Sequence, residues 1–351
     1  MKRIQILAVI LLVFSGFAAY SQTALILAKP VDSKDWGYCD LKGEFIIIPQ
    51  YKNCIGFSTE GFAAIYDAKM KQYYFITTNG EMLETEIKDF KLIEIFGFGM
   101  KGFQDGFAPV KYQDKWGFLN TDGKLAIPAQ YDKVTPFNSG YAVAQKVKKY
   151  YIIDKTGNEI MVDIGGLSDV NEFSEGYAVY KLEDGNVGFI DGNGTIVIPA
   201  KFKSAGDFSG GLAWAKDITG SVGYIDKKGE WVIPPKFETG KFFDPSTGLA
   251  RVKLASTWAY TNRQGDLLFV KDTDVWEDFF DGLAKGKKNG MIGYFNSKGE
   301  WVIEPQFDNG RDFHNGYASV KKGDKWGVID NGGKWVIEPK FEDIKDVEIV
   351  K

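Results

Sequence analysis

The sequence predicts an all-β chain built as a tandem array of about nine three-stranded antiparallel units. Three observations carry this. A glycine-marked motif recurs about every 35 residues, a second aromatic-glycine-alanine marker keeps step with it, and the composition combines 15% aromatic residues with 41 glycines. A helical protein would favour Ala, Leu and Glu, whereas aromatic side chains and tight-turn glycines suit many short strands.

The first marker is seen in Trp116-Gly117-Phe118-Leu119-Asn120-Thr121-Asp122-Gly123, which returns as Trp326-Gly327-Val328-Ile329-Asp330-Asn331-Gly332-Gly333. Its last glycine gives nine positions: Gly43, Gly80, Gly123, Gly157, Gly194, Gly229, Gly265, Gly299 and Gly333. They are spaced by 34 to 37 residues except for one interval of 43. A fixed period of this size is the signature of a repeat architecture. The long interval lies in the second unit, where extra residues around Ile87 to Met100 are expected to form a protruding loop. The second marker is an aromatic followed by Gly and an apolar-Ala pair, as in Phe57 to Ala63, Phe137 to Ala142, Phe173 to Ala178, Phe208 to Ala213 and Phe313 to Ala318.

Within a unit the first expected strand is the alanine-containing run (Tyr141 to Gln145, Leu249 to Lys253, Tyr317 to Lys321). The Trp-Gly run is the second, and the stretch after the marker glycine (Trp231 to Ile233, Trp301 to Ile303) is the third. Asp or Asn stands three residues before the glycine in eight units: Asp40, Asn120, Asp154, Asp191, Asp226, Asn262, Asn296 and Asp330. This is the composition of a type I turn whose glycine takes positive φ, so the second and third strands form a hairpin. Pro49, Pro128, Pro199, Pro234, Pro305 and Pro339 are expected to close the third strand, because proline cannot donate to a ladder.

Trp231-Val232-Ile233 is apolar on both faces of its strand, so each sheet is expected to be covered on both sides by stacked neighbours. The glycine after Trp leaves room for close approach by an aromatic ring. Two assemblies meet these demands, an open curved solenoid and a closed β-propeller-like ring. Three strands per unit, nine units, and a first-type strand at both ends (Ala24 to Ala28, Val347 to Val350) favour the open array.

Lysine-tryptophan-glycine triplets (Lys115-Trp116-Gly117, Lys325-Trp326-Gly327), the following Asp-x-x-Gly turn, the Val-Ile-Pro run and the Phe-x-x-Gly-apolar-Ala element together resemble the WG (KWG) repeat of bacterial exported proteins. The resemblance spans about residues 24 to 350. It departs from the pattern where Val187, Val222 and Ile292 replace the Trp, and where units two, four and seven lack the late Pro. It implies an interaction array and says little about the ligand.

Residues 1–21 read as a secretory signal, with Lys2 and Arg3 ahead of an apolar run from Ile4 to Phe14 and Ala19-Tyr20-Ser21 as a small-x-small cleavage site. Cleavage is expected before Gln22, leaving residues 22–351 as a single β domain without a later membrane span, periplasmic or extracellular. Cys39 and Cys54 lie well beyond this site, so neither becomes a lipidated first residue.

The formal net charge is −4, and cleavage removes two positive residues more, which argues against nucleic acid as a ligand. His314 is the single histidine, which argues against histidine triads and histidine-based metal sites, and its place in a connection suits a surface residue. Asp191-Gly192-Asn193-Gly194-Thr195 lacks the remaining ligands of a calcium loop and reads as a turn. Acidic residues recur at turn positions, which suits a structural role better than a glycosidase pair that is needed once. No cofactor or metal is implied.

Cys39 and Cys54 leave two readings, buried thiols or a bridge closing a loop worth about 3 kcal/mol. Trp231, Trp301 and Trp335 share one repeat position and read as core. Trp214 and Trp276 break the pattern and are the candidates for a ligand surface. The expected function is a non-enzymatic exported scaffold binding a protein or another cell-envelope component. The alternatives are carbohydrate binding through exposed Trp and, further off, a glycan hydrolase.

Overall fold

A computed structural model describes residues 23–95 and 99–350, and the expected signal segment lies outside them. Every regular element of the described residues is a strand, and none of them forms a helix long and apolar enough to cross a membrane.

All nine marker glycines take φ between +74° and +86°, where a side chain would be strained. Each donates its N–H to the carbonyl three residues earlier, from Gly43 to Asp40 (2.9 Å) through to Gly333 and Asp330 (2.9 Å). In eight units the Asp or Asn side chain at that earlier position accepts two more backbone N–H groups, as Asp40 does from Lys42 and Glu44. Asp191 spends the same oxygen on Asn193 and Thr195, which makes its loop a plain turn of the repeat. The hairpin expected at each marker is therefore present.

The sheets have one strand more than expected. Lys133–Val134, for example, pairs with Tyr141–Lys146 and adds an inner strand to a sheet completed by Lys149–Asp154 and Glu159–Met161. Six sheets have this four-stranded form. The extra strand ranges from two residues (Lys133–Val134) to six (Val275–Phe280).

Proline does not close the outer strand. Leu125–Tyr131 runs through Pro128 and Trp231–Phe237 through Pro234 and Pro235, each with a bulge. Trp116 pairs with Tyr131 while Phe118 pairs with Ile127, so two surplus residues of the outer strand bow toward Gly117. A Cβ on Gly117 would stand 2.5 Å from the Ile127 carbonyl oxygen and 2.7 Å from the Ala129 nitrogen. The group that approaches this glycine is thus backbone, not the aromatic ring expected. The same contact recurs at Gly37, Gly188, Gly223, Gly293 and Gly327. The three units without the late Pro carry Tyr74, Tyr151 and Ala259 in place of the glycine. In two of them the outer strand pairs with no register break (Tyr151 with Met161, Ile153 with Glu159; Tyr260 with Leu268), and in the third it is reduced to one bridge, Ile76 to Met82.

Apolar side chains from adjacent units meet in nine separate cores. One holds Phe118, Ile127 and Tyr131 of the third unit against Phe137, Ala142 and Ile153 of the fourth. Another holds Tyr294, Ile303 and Phe307 of the eighth against Phe313, Ala318 and Ile329 of the ninth. Buried tyrosines reach across: the hydroxyls of Tyr38, Tyr224, Tyr260 and Tyr294 donate to the carbonyls of Ile55, Lys241, Glu277 and Arg311 in the next unit. Coverage on both faces holds for the inner strands only. On the outer strand Val232 and Ile48 remain 40% and 67% exposed, because no neighbour reaches that far from the inner edge.

The last core joins the two ends. Trp335–Val350 first pairs with Lys325–Asp330 as the outer strand of the ninth unit, then continues antiparallel to Thr23–Pro30 as the inner strand of the first. Ile26 pairs with Val347 and Ala28 with Ile344, and Ile344, Val347, Ile26 and Ala28 share one core. The open array expected from the sequence gives way to closure. Among the described residues the inner strand of the N-terminal unit is supplied by Val347 to Val350, which is of a different type from Ala24 to Ala28.

Described residues of the long interval also pair: Lys91–Leu92 is the inner strand of the third unit against Phe107–Tyr112, and Glu94 pairs with Met100.

Candidate binding site on units five to eight

Two repeat positions face each other across adjacent units. One is the residue after the alanine of the second strand: Val179, Trp214, Arg251 and Lys285 in units five to eight. The other is the residue before the buried Phe at the end of the inner strand: Asp207, Phe242, Asp278 and Asp312 in units six to nine. A side chain at the first position meets the second position of the following unit. Arg251, only 13% exposed, brings its Nε to 2.8 Å from Asp278, and Lys285 lies 3.3 Å from Asp312.

Two acidic residues at the second position lack such a cation: Glu172 of the fifth unit, where Val143 stands at the first position of the fourth, and Asp207 of the sixth. The residue that would neutralise Asp207 is Val179, which packs instead beside Phe208 in the core. Among the described residues Asp207 has neither ion-pair nor hydrogen-bond partner. Burial, reinforced by the Glu172 carboxylate, pushes its carboxyl above the usual range. Glu172 itself accepts weak hydrogen bonds from Gln104 and Asn138.

In the next unit the acidic position is taken by Phe242, 49% exposed, and beyond it stands Phe280, 45% exposed. Asp207, Phe242, Asp278 and Phe280 line a cavity of about 340 Å³ that Ser174 of the fifth unit also borders. Four consecutive units therefore converge on it. Ser174 and Ser209 fix its floor by donating to the carbonyls of Phe208 and Phe243 in the following units. The Asp244 carboxylate is occupied by Ser246 and Thr247.

The two tryptophans expected to form a ligand surface do not line this cavity. Trp214 packs against the core that contains Phe243, its indole lies over Gly206, and its carbonyl accepts from the Gly206 N–H next to Asp207. Trp276 packs with Tyr260 and Phe295, and its carbonyl accepts from Arg251. Both are partly buried, and each ties its own backbone carbonyl to a neighbouring strand. Trp231, Trp301 and Trp335 meet Phe202, Phe295 and Phe307 edge-on at centroid separations of 5.4 to 5.6 Å, as core residues do.

Cys39 and Cys54 are free thiols in different cores, the first with Val328 and Ile337, the second against Tyr38 and Ile65. They sit on opposite sides of the first unit's sheet, and burial pushes both up to about 12. His314 lies 3.3 Å from Glu348 on the closing strand. Asp207, Phe242 and Phe280 were not singled out by the sequence; reading the two facing positions crosswise between successive units would have found the first two.

The WG-containing-repeat family matches residues 36–66, 116–150, 188–217, 223–258, 292–326 and 326–348, more than half of the chain. The chain belongs to this family. Similar solved structures include BamB from Moraxella catarrhalis, 14% identical over 70% of this chain and 88% of that one, with a TM-score of 0.37. A dipeptidyl peptidase 4 from Porphyromonas gingivalis is 8% identical over 81% of this chain and 59% of that one, with a TM-score of 0.49. PorZ, an essential surface component of the type-IX secretion system of Porphyromonas gingivalis, is 11% identical over 89% and 52%, with a TM-score of 0.29. No curated protein gives a significant match.

Proposed function

We propose that the protein is an exported, non-enzymatic scaffold that binds a protein of the cell envelope through the cavity on units five to eight. The observation that carries this reading is the pair of half-exposed phenylalanines, Phe242 and Phe280, beside the unpartnered Asp207. The two following units place Asp278 and Asp312 at the position of Phe242, each paired with a cation of the preceding unit, so an exposed aromatic there is not a demand of the fold. Aromatic side chains are enriched in the centres of protein interfaces. Export rests on the basic start, the apolar run and the small-x-small site of residues 1–21.

A photo-crosslinking residue in place of Phe280, in cells that export the full chain, tests this. The expected outcome is one discrete adduct with an envelope protein, lost when Phe242 is changed to Ala. Absence of any adduct, or an adduct indifferent to Phe242→Ala, would reject it. Cell fractionation with detection of a chain beginning at Gln22 tests export. Carbohydrate binding through Trp214 and Trp276 has less support, since both indoles are engaged in packing.

A further inference from the structure

We infer that the cavity beside Asp207 is built to receive one arginine side chain from the bound protein; the inference rests on the scaffold reading above and specifies its chemistry.

The reasoning begins with the repeat itself. Asp278 and Asp312 each have a cation from the preceding unit, and in both cases the cation comes from the position after the alanine. Asp207 occupies the same place in its unit as those two, yet Val179 stands where its cation would be. A half-buried carboxylate without a partner is unfavourable, and a cation arriving from outside relieves it. Arg263, which touches Phe243 and Gly210 beside the cavity, is already committed: its guanidinium donates to the Gly210 carbonyl and lies over the Phe243 ring. Among the described residues no arginine or lysine lines the cavity.

The remaining walls select among cations. Phe242 and Phe280 offer exposed rings, and a guanidinium both stacks on an aromatic face and presents a planar fork to a carboxylate. An ammonium can do the first only weakly and the second as a point charge. The protein already uses this arrangement twice: the Arg251 guanidinium lies 4.9 Å from the Trp258 ring centre while pairing with Asp278, and the Arg311 guanidinium lies 5.2 Å from Trp326 while pairing with Asp343. A volume of about 340 Å³ accommodates one long side chain and the turn that bears it, and it is too small for a polymer or a folded domain.

The test uses the whole mature protein with phenylalanine selectively labelled for NMR, titrated with N-acetyl-arginine methylamide. Saturable shifts of the Phe242 and Phe280 resonances are expected, with binding weakened about tenfold or more in Asp207→Asn. The lysine analogue should bind more weakly than arginine, and the citrulline analogue, uncharged but of the same shape, should not bind. Equal binding by the Asp207→Asn variant, or by the citrulline analogue, overturns the inference. Asp207→Asn keeps the size of the side chain, and the Phe242→Ala change is at an exposed ring, so folding is retained; the unchanged remainder of the spectrum reports this directly. Two further outcomes separate this inference from the scaffold reading. A crosslinked partner that persists undiminished in Asp207→Asn leaves the scaffold and rejects the arginine. Arginine binding without any crosslinked partner leaves the site and rejects the scaffold.

Discussion

Gly117 and Ile127 lie so close that the missing side chain of one makes room for the carbonyl of the other: a Cβ on Gly117 would be 2.5 Å from the Ile127 oxygen. The glycine of the Trp-Gly pair and the late proline are therefore two halves of one device. The proline-bearing strand bulges inward, and only a residue without a side chain tolerates it.

Gly117→Ala is accordingly expected to destabilise the protein by about 2–4 kcal/mol, since backbone rather than a flexible side chain must yield. The reverse change where no bulge exists, Ala259→Gly, should cost less, about 1–2 kcal/mol from the lost buried methyl and added chain freedom. Denaturant unfolding of both variants measures the contrast. Equal losses would mean that the bulge contact is relaxed in solution.

The closing strand makes a second expectation. A chain ending at Phe341 loses Ile344 and Val347, buried between the first and last units, and Val350, buried between the first and second. At roughly 1.5–3 kcal/mol for each side chain, the loss is on the order of 5 kcal/mol. Hydrogen exchange should show the amides of Ile26 and Ala28 losing protection first. Protection unchanged from the full chain would refute closure.

Protonation of His314 should tighten the same junction. Its hydrogen bond to Glu348, opposed by partial burial and aided by the Glu348, Asp346 and Asp281 charges, raises its pKa above the ordinary 6.5. A raised folded value means that the stabilisation is complete below the unfolded pKa near 6.5 and is lost as pH rises through the folded one. Thermal midpoints compared at pH 6 and pH 8.5 should differ more for the native protein than for His314→Asn. An identical difference in the variant would show that the pair contributes nothing.

Cys39 and Cys54 are expected to stay unbridged and slow to react. Their placement on opposite sides of one sheet prevents a bond, and both thiols are held protonated by burial. Mass spectrometry after alkylation should find little labelling in the folded protein and two labelled cysteines once it is unfolded without reductant. A species two hydrogens lighter would contradict this.

Much of this architecture was legible because turn chemistry is local. Asp40 and Gly43 sit three residues apart and need nothing else to define their hairpin, so the period, the strand class and the repeat boundaries could be read directly. The inner strands could not. Lys133 and Val134 are too few to show alternation, and without them Val347 to Val350 looked like a copy of Ala24 to Ala28 instead of its complement. Proline misled for a related reason: Pro128 forgoes one hydrogen bond, yet the bulge takes up the loss and the strand continues. For the site, the aromatic character of Trp214 and Trp276 carried no information about which way each ring faces. What distinguishes Asp207 is an absent cation from a different unit combined with the exposed Phe242 and Phe280 on the same cavity, a relationship that exists only between repeats.

The shared sixteen-residue strand Trp335–Val350 also limits how such a chain can change in length. An array with two loose tips can grow by duplicating a module at either tip and capping the new one. Here both tips are already spent on one another, so a gained or lost module must be accommodated in the circumference, and every neighbouring pair would have to re-pack at a new angle.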